Sequence, residues 1–237
     1  MKNYQFRPGW AATLAVAVLV PLFVSLGVWQ LHRAEEKMAL MEQRERRLGE
    51  AVLASSAAWA GEENRYRRLE LAGEFDAQHQ FLLDNQIFNQ QPGYRVLTPL
   101  RIEGLQAAVL VNRGWLPVGK DRGHLPALAI PQSKVRLVGV IDKLPGVGFQ
   151  LKGAEIPAPG WPSLVQVADI ERLSERLGYR LLPYQVLLPP EADYGYARDW
   201  KPASLNPEKS QGYALQWFSF ALAASILYVW YGFKLKG

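Results

Sequence analysis

The side chains best suited to chemistry sit in two short stretches near the ends of the chain. Trp29-Gln30 is followed by His32 and Arg33, and Tyr213 is followed by Gln216 and Trp217. An amide at the edge of an apolar layer needs a hydrogen-bond partner, because an unsatisfied one costs roughly 1–3 kcal/mol. Gln30 and Gln216 can bond each other, a backbone carbonyl or the carboxylate of a ligand. Arg33 suits a carboxylate, which a guanidinium meets with two parallel hydrogen bonds. The competing reading of the aromatics is an interfacial belt without a ligand, and that of His32 is a polar residue at the interface.

Elsewhere the chemistry is sparse. The chain has no cysteine, which excludes disulfides, zinc–thiolate sites and thiol redox chemistry but locates it in no compartment. Its three histidines, His32, His79 and His124, are far apart, and none has the His-Glu-x-x-His spacing of a metal site. Gly146-Val147-Gly148 is only a fragment of a phosphate-loop pattern, and no Gly-x-Ser-x-Gly elbow is present. Val111-Asn112-Arg113-Gly114-Trp115 reads as structural: Gly114 permits a bend and Trp115 fills a core edge. Its alternative is a face for a partner or a planar ligand. An enzyme is therefore the weaker class.

Two elements must position the terminal stretches. Trp10–Leu31 and Tyr213–Phe233 are uncharged runs of 22 and 21 residues, each long enough to cross roughly 30 Å of hydrocarbon as a helix. The first is too long for the core of a signal peptide and ends in Gly-Val-Trp-Gln-Leu-His-Arg rather than a small-residue cleavage site, so it reads as an uncleaved anchor, with Pro21 expected to kink it. Two spans run antiparallel and bring Trp29-Gln30 to the level of Gln216-Trp217. The expected layout is a tail at 1–9, a first span at 10–31, a body at 32–212 with a helical stalk at 33–48, a second span at 213–233 and a tail at 234–237. The net charge is +5, and Lys2, Arg7, Lys234 and Lys236 account for +4 of it. The nearly neutral body argues against a nucleic-acid partner. Charge leaves the orientation open, because long domains translocate largely regardless of it.

Between the spans the period is that of strands: Tyr66–Leu71, Gln80–Phe88, Tyr94–Ile102, Ala107–Val111, Val135–Ile141 and Val186–Leu188, mostly at hairpin spacing. That predicts an α+β membrane protein in which two terminal transmembrane helices flank an antiparallel β-barrel or sandwich with one or two short helices. One helix is expected at Asp169–Leu177, capped by Asp169 and stopped by Gly178, with Ile170, Leu173 and Leu177 on one face. Leu144–Pro162 and Pro189–Lys209 are rich in Pro and Gly and read as loops.

Five motifs in register resemble those of the surfeit locus protein family (Surf/Shy type). They are Gly27-x-Trp29-Gln30-Leu31-x-Arg33-x-x-x-Lys37, Tyr66-Arg67-Arg68 leading to Gly73-x-Phe75, Pro92-Gly93-Tyr94 leading to Thr98-Pro99-Leu100, Val111-Asn112-Arg113-Gly114-Trp115, and Tyr213-Ala214-Leu215-Gln216-Trp217. The resemblance implies a non-enzymatic assembly factor for haem-copper cytochrome c oxidase in the bacterial inner membrane, with the central domain periplasmic and both tails cytoplasmic. It implies haem a as cofactor, inserted into the nascent catalytic subunit, with that subunit and the haem a synthesis machinery as partners.

One departure bears on the cofactor. The family usually has a histidine just before the last span, where this chain reads Pro207-Glu208-Lys209-Ser210-Gln211-Gly212-Tyr213-Ala214, with Ser210 in its place. A hydroxyl does not replace imidazole on haem iron. The expected haem-facing set is Trp29, Gln30, His32, Arg33, Tyr213, Gln216 and Trp217, with His32 the substitute metal ligand. The tryptophans would wall a macrocycle and Arg33 would meet a propionate. The alternatives are a cofactor-free envelope scaffold that docks through its β-domain and a membrane-anchored hydrolase.

Overall fold

The computed structural model describes residues 4–54, 62–119, 125–130, 132–146, 152–200 and 206–235. His124 and the Val147-Gly148 part of the glycine fragment lie outside them. In chain order the elements are β1 (Tyr4–Phe6), α1 (Trp10–Gly49), β2 (Arg68–Phe75), β3 (Phe81–Phe88), β4 (Gln91–Ile102), β5 (Ala108–Pro117), β6 (Lys134–Asp142), β7 (Ser163–Val165), α2 (Ile170–Leu177), β8 (Leu181–Leu187), α3 (Pro207–Gly232) and β9 (Phe233–Leu235), with a 3-10 turn at Glu62–Asn64. The chain forms two compact units, residues 1–43 with 201–237, and residues 44–200.

The first unit is a helix pair. α1 and α3 are both long and apolar enough to cross a membrane. α1 stays helical through Pro21, and Ser25 Oγ donates to the Pro21 carbonyl at 2.7 Å. α3 starts six residues before the expected span. Asn206 caps it, its Oδ1 accepting the Lys209 N–H at 3.1 Å, and Pro207 takes the first helical position, where a missing N–H costs nothing. Beyond the far ends of the two helices, β1 and β9 pair antiparallel, Tyr4 opposite Leu235 and Phe6 opposite Phe233. The Phe6 ring lies on Gly232, where a Cβ would stand 2.2 Å from it, and packs edge-on to Tyr228.

The second unit is a seven-stranded sheet in the order β2-β6-β8-β5-β4-β3-β7, and β2 pairs with β4 as well as with β6. Five strands, β2, β6, β8, β5 and β4, therefore close a ring, and β3 and β7 extend from β4. The expected antiparallel sheet is corrected here: the sheet is mixed, because β5 pairs parallel with β8, and β3 parallel with β7. The hairpin spacing of β3, β4 and β5 did not extend to β8. The chain reaches β8 from β7 through α2, and such a crossover lets a strand enter in the same direction as its neighbour. β7 has three residues and begins immediately after Leu144–Pro162, the segment read as a loop.

The core follows the pleat. Along β5, Val109 and Val111 point into the ring with Leu69, Leu71, Leu100, Leu137 and Val186. Ala108 and Leu110 point the other way, to Phe81, Leu83, Leu97 and Leu173 of α2. Both faces of β5 are buried, which suits its apolar run. α2 matches its sequence signals: Asp169 accepts the Arg172 N–H at 3.0 Å, and Gly178 takes φ +75°. The end of α1 is less solvated than a free stalk, for Arg44 donates to the Trp200 carbonyl at 2.9 Å and Arg47 to that of Arg65 at 3.0 Å.

Candidate functional site

On α1, Phe23, Gly27, Gln30, Ala34 and Lys37 recur at spacings of three and four, so they share one face. That face meets α3. A Cβ at Gly27 would lie 2.7 Å from the Phe218 ring, so the helices come close there and a side chain at 27 would have to displace that ring. Phe23 stacks on Trp217 with centroids 5.7 Å apart, and Phe220 adds a tilted ring at 5.9 Å. Thr13 and Tyr228 share a hydrogen bond of 2.9 Å. Early residues of α1 meet late residues of α3, so the pair is antiparallel.

At the start of α3 the contact is polar. Lys37 Nζ donates to Ser210 Oγ at 2.9 Å and to the Asn206 carbonyl at 3.3 Å. Ser210 is 4% exposed, and Ala214, one turn on, is 1% exposed. Ser210 is thus a buried acceptor already engaged by an ammonium.

The residues expected to line one site are spread around the pair. Gln30 is half-buried on the shared face, and Trp217 is half-buried against Phe23. Trp29 and Tyr213 are exposed, at 54% and 45%. Gln216 is exposed as well. Arg33 pairs with Glu36 at 3.1 Å on its own helix. His32 is exposed and lies two residues from both Gln30 and Ala34, which puts it about 160° from the face that meets α3. Among the described residues no hydrogen bond joins Gln30 to Gln216, and no ring contact joins Trp29 to Trp217. Phe23 and Lys37 were not among the expected residues. Their signal was their spacing from Gly27, at minus four and plus ten.

The donor set bears on the cofactor expectation. An axial ligand presents a free lone pair to iron. At position 210, where the resemblance led to the expectation of a histidine, this chain presents a hydroxyl held by an ammonium, and the imidazole of His32 lies away from the face that meets α3. These residues do not fit haem ligation from α3. Among the described residues no group of three or more His, Asp and Glu side chains could hold a metal ion.

In the sheet unit, Asn112-Arg113-Gly114-Trp115 is structural. Arg113 is 2% exposed and donates to the Tyr194 carbonyl at 2.7 Å, the Ala129 carbonyl at 2.8 Å and Gln80 Oε1 at 3.0 Å. It lies under the Tyr196 ring at 5.0 Å, and burial lowers the pKa of its guanidinium. Gly114 takes φ +111°, and a Cβ there would meet the Ala197 carbonyl at 2.7 Å. Trp115 Nε1 donates to the Gln86 carbonyl at 2.8 Å.

A second polar cluster lies at the end of β2. Asp76 accepts from His79 Nδ1 and from the Tyr179 hydroxyl, both at 2.9 Å. Burial would raise the Asp76 carboxyl, but the hydrogen bonds from His79 and Tyr179 hold it below its ordinary value. Arg101 stands 4.5 Å over the Tyr179 ring and lines a cavity of about 370 Å³ with His79 and Ser133.

The chain as a whole is similar to known proteins. Residues 17–222 match the model of the SURF1 family. A SURF1-like protein of Caenorhabditis briggsae is 28% identical over 162 residues, 56% of this chain and 50% of the relative. The cytochrome oxidase assembly protein SHY1 of Saccharomyces cerevisiae is 26% identical over 168 residues, 68% of this chain and 43% of the relative. The chain spans about half the length of these eukaryotic relatives. A SURF1-like protein of Rickettsia felis is 23% identical over 226 residues, 92% of this chain and 95% of the relative. The match runs from within α1, through the whole sheet unit, to within α3, and by it the chain belongs to the SURF1 family.

Proposed function

We propose that this protein is a non-catalytic assembly factor for haem-copper cytochrome c oxidase in a bacterial inner membrane. The observation that carries the reading is the family match over residues 17–222, together with the assembly role in the name of the yeast relative. α1 and α3 each cross the bilayer, and the sheet unit lies on the periplasmic side. The pairing of β1 with β9 supports an even number of spans, because it needs both tails on one side.

The protein serves haem a insertion by engaging the nascent catalytic subunit rather than by carrying the haem on an α3 histidine. Its exposed apolar helix surfaces, Trp29 and Leu215 among them, suit a membrane-embedded partner. The test is the reduced-minus-oxidised spectrum of respiratory membranes from a deletion strain. Loss of most haem a absorbance and of cytochrome c oxidation, restored by the gene in trans, is expected. Normal oxidase absorbance and activity in the deletion strain would overturn the assembly role.

A further inference from the structure

We infer that Ser210 is a helix-pairing residue in this chain: with Lys37 it locks α1 to α3 and leaves no ligand for haem iron there. The geometry of the helix pair carries this, independently of the partner the protein serves.

Three observations bear on it. Ser210 is 4% exposed, and its Oγ accepts from Lys37 Nζ at 2.9 Å. Lys37 spends a second proton on the Asn206 carbonyl at 3.3 Å, while the Asn206 side chain caps α3. One ammonium thus fixes both the first turn of α3 and its cap to α1. Lys37 also continues the face of Gly27, Gln30 and Ala34, so the lock sets the same register as the close approach at Gly27 and Phe218.

The chemistry excludes ligation at this position. A hydroxyl is a poor ligand for haem iron, and this one already accepts a hydrogen bond from Lys37 on one of its two lone pairs. An ammonium has no lone pair to offer. It would also stand beside the positive charge of ferric haem and the positive end of the α3 dipole. Placing imidazole at 210 does not suffice while Lys37 stays, because the same cation then faces the ring nitrogen meant for iron.

The test uses the full chain purified in detergent micelles and titrated with ferric protoporphyrin IX, read by absorbance and electron paramagnetic resonance. The wild type is expected to give no saturable low-spin signal that changes in Ser210→Ala or Lys37→Met. The double variant Lys37→Met/Ser210→His is expected to bind one haem per chain at least tenfold more tightly than Ser210→His alone. A stoichiometric low-spin haem on the wild type, lost in Ser210→Ala or Lys37→Met, would overturn the inference. So would equal affinity of Ser210→His with and without Lys37. A third measurement does not depend on haem. Lys37→Met should lower the melting temperature of the apoprotein by roughly 2–4 °C, and an unchanged melt would rule out the lock. The deletion-strain spectrum tests the oxidase role separately, so either can fail alone.

Discussion

Arg113 is a cation that no carboxylate neutralises among the described residues; two carbonyls, the amide of Gln80 and the Tyr196 ring surround it instead. Removing it leaves those buried acceptors short of a donor, at roughly 1–3 kcal/mol for each one stranded. Arg113→Met should therefore lower the unfolding free energy by about 3 kcal/mol or more, measured by denaturant titration. Arg113→Lys should recover little of it, because a single ammonium does not reproduce the guanidinium fork. At Asp76 the sign of the pH effect is set by a carboxyl held below its ordinary value of 3.8. Its contribution is present above that value and is lost as pH falls through the lower folded-state one. Thermal melts of Asp76→Asn should lose part of the acid-side decline of the wild type, and a superimposable pH profile would remove Asp76 from that role. The structural role of Gly114 and Trp115 was legible in their types. The environment of Arg113 was not, because its partners are carbonyls far along the chain, which leave no mark on side-chain sequence.

Each helix owes its place to a few contacts that can be tested singly. Asn206→Ala removes the cap of α3 and should cost about 1 kcal/mol, measured by thermal melting in detergent. Gly27→Leu drives a side chain into the Phe218 ring and should separate α1 from α3, with a larger loss of melting temperature than Gly27→Ala. Hydropathy alone was enough to find both apolar helices, yet the start of α3 was read six residues late. Asn206-Pro207-Glu208 is a cap signal, but it stands among prolines that read as a loop. The register of the pair was only partly legible. Depth put Trp29 level with Gln216, but the rotation of each helix decides what faces what. Small residues set that rotation: Gly27 and Ala34 on α1, Ser210, Ala214 and Ala221 on α3. In the sheet, strands read by alternation came through, whereas the parallel entry of β8 depends on a crossover that no local period encodes.

For the whole molecule the expected topology has both tails in the cytoplasm. A reporter active only there should work when fused after Gly237 and stay silent when inserted near Gly153; the reverse pattern would overturn the orientation. The ring of the sheet unit has a consequence for biogenesis. β8 fills the gap between β5 and β6, and it is the last strand of the ring to be made. Until Leu187 has emerged, β5 and β6 are open edges with apolar faces, the kind of surface on which unfinished chains aggregate. Parallel pairing between β5 and β8, some seventy residues apart, also carries a high loop-closure cost and slows the closing step. A polypeptide made in N-to-C order thus leaves the ring unclosed until β8 is complete. α3 is made only after the ring can close, so this apolar helix arrives behind a domain already able to fold.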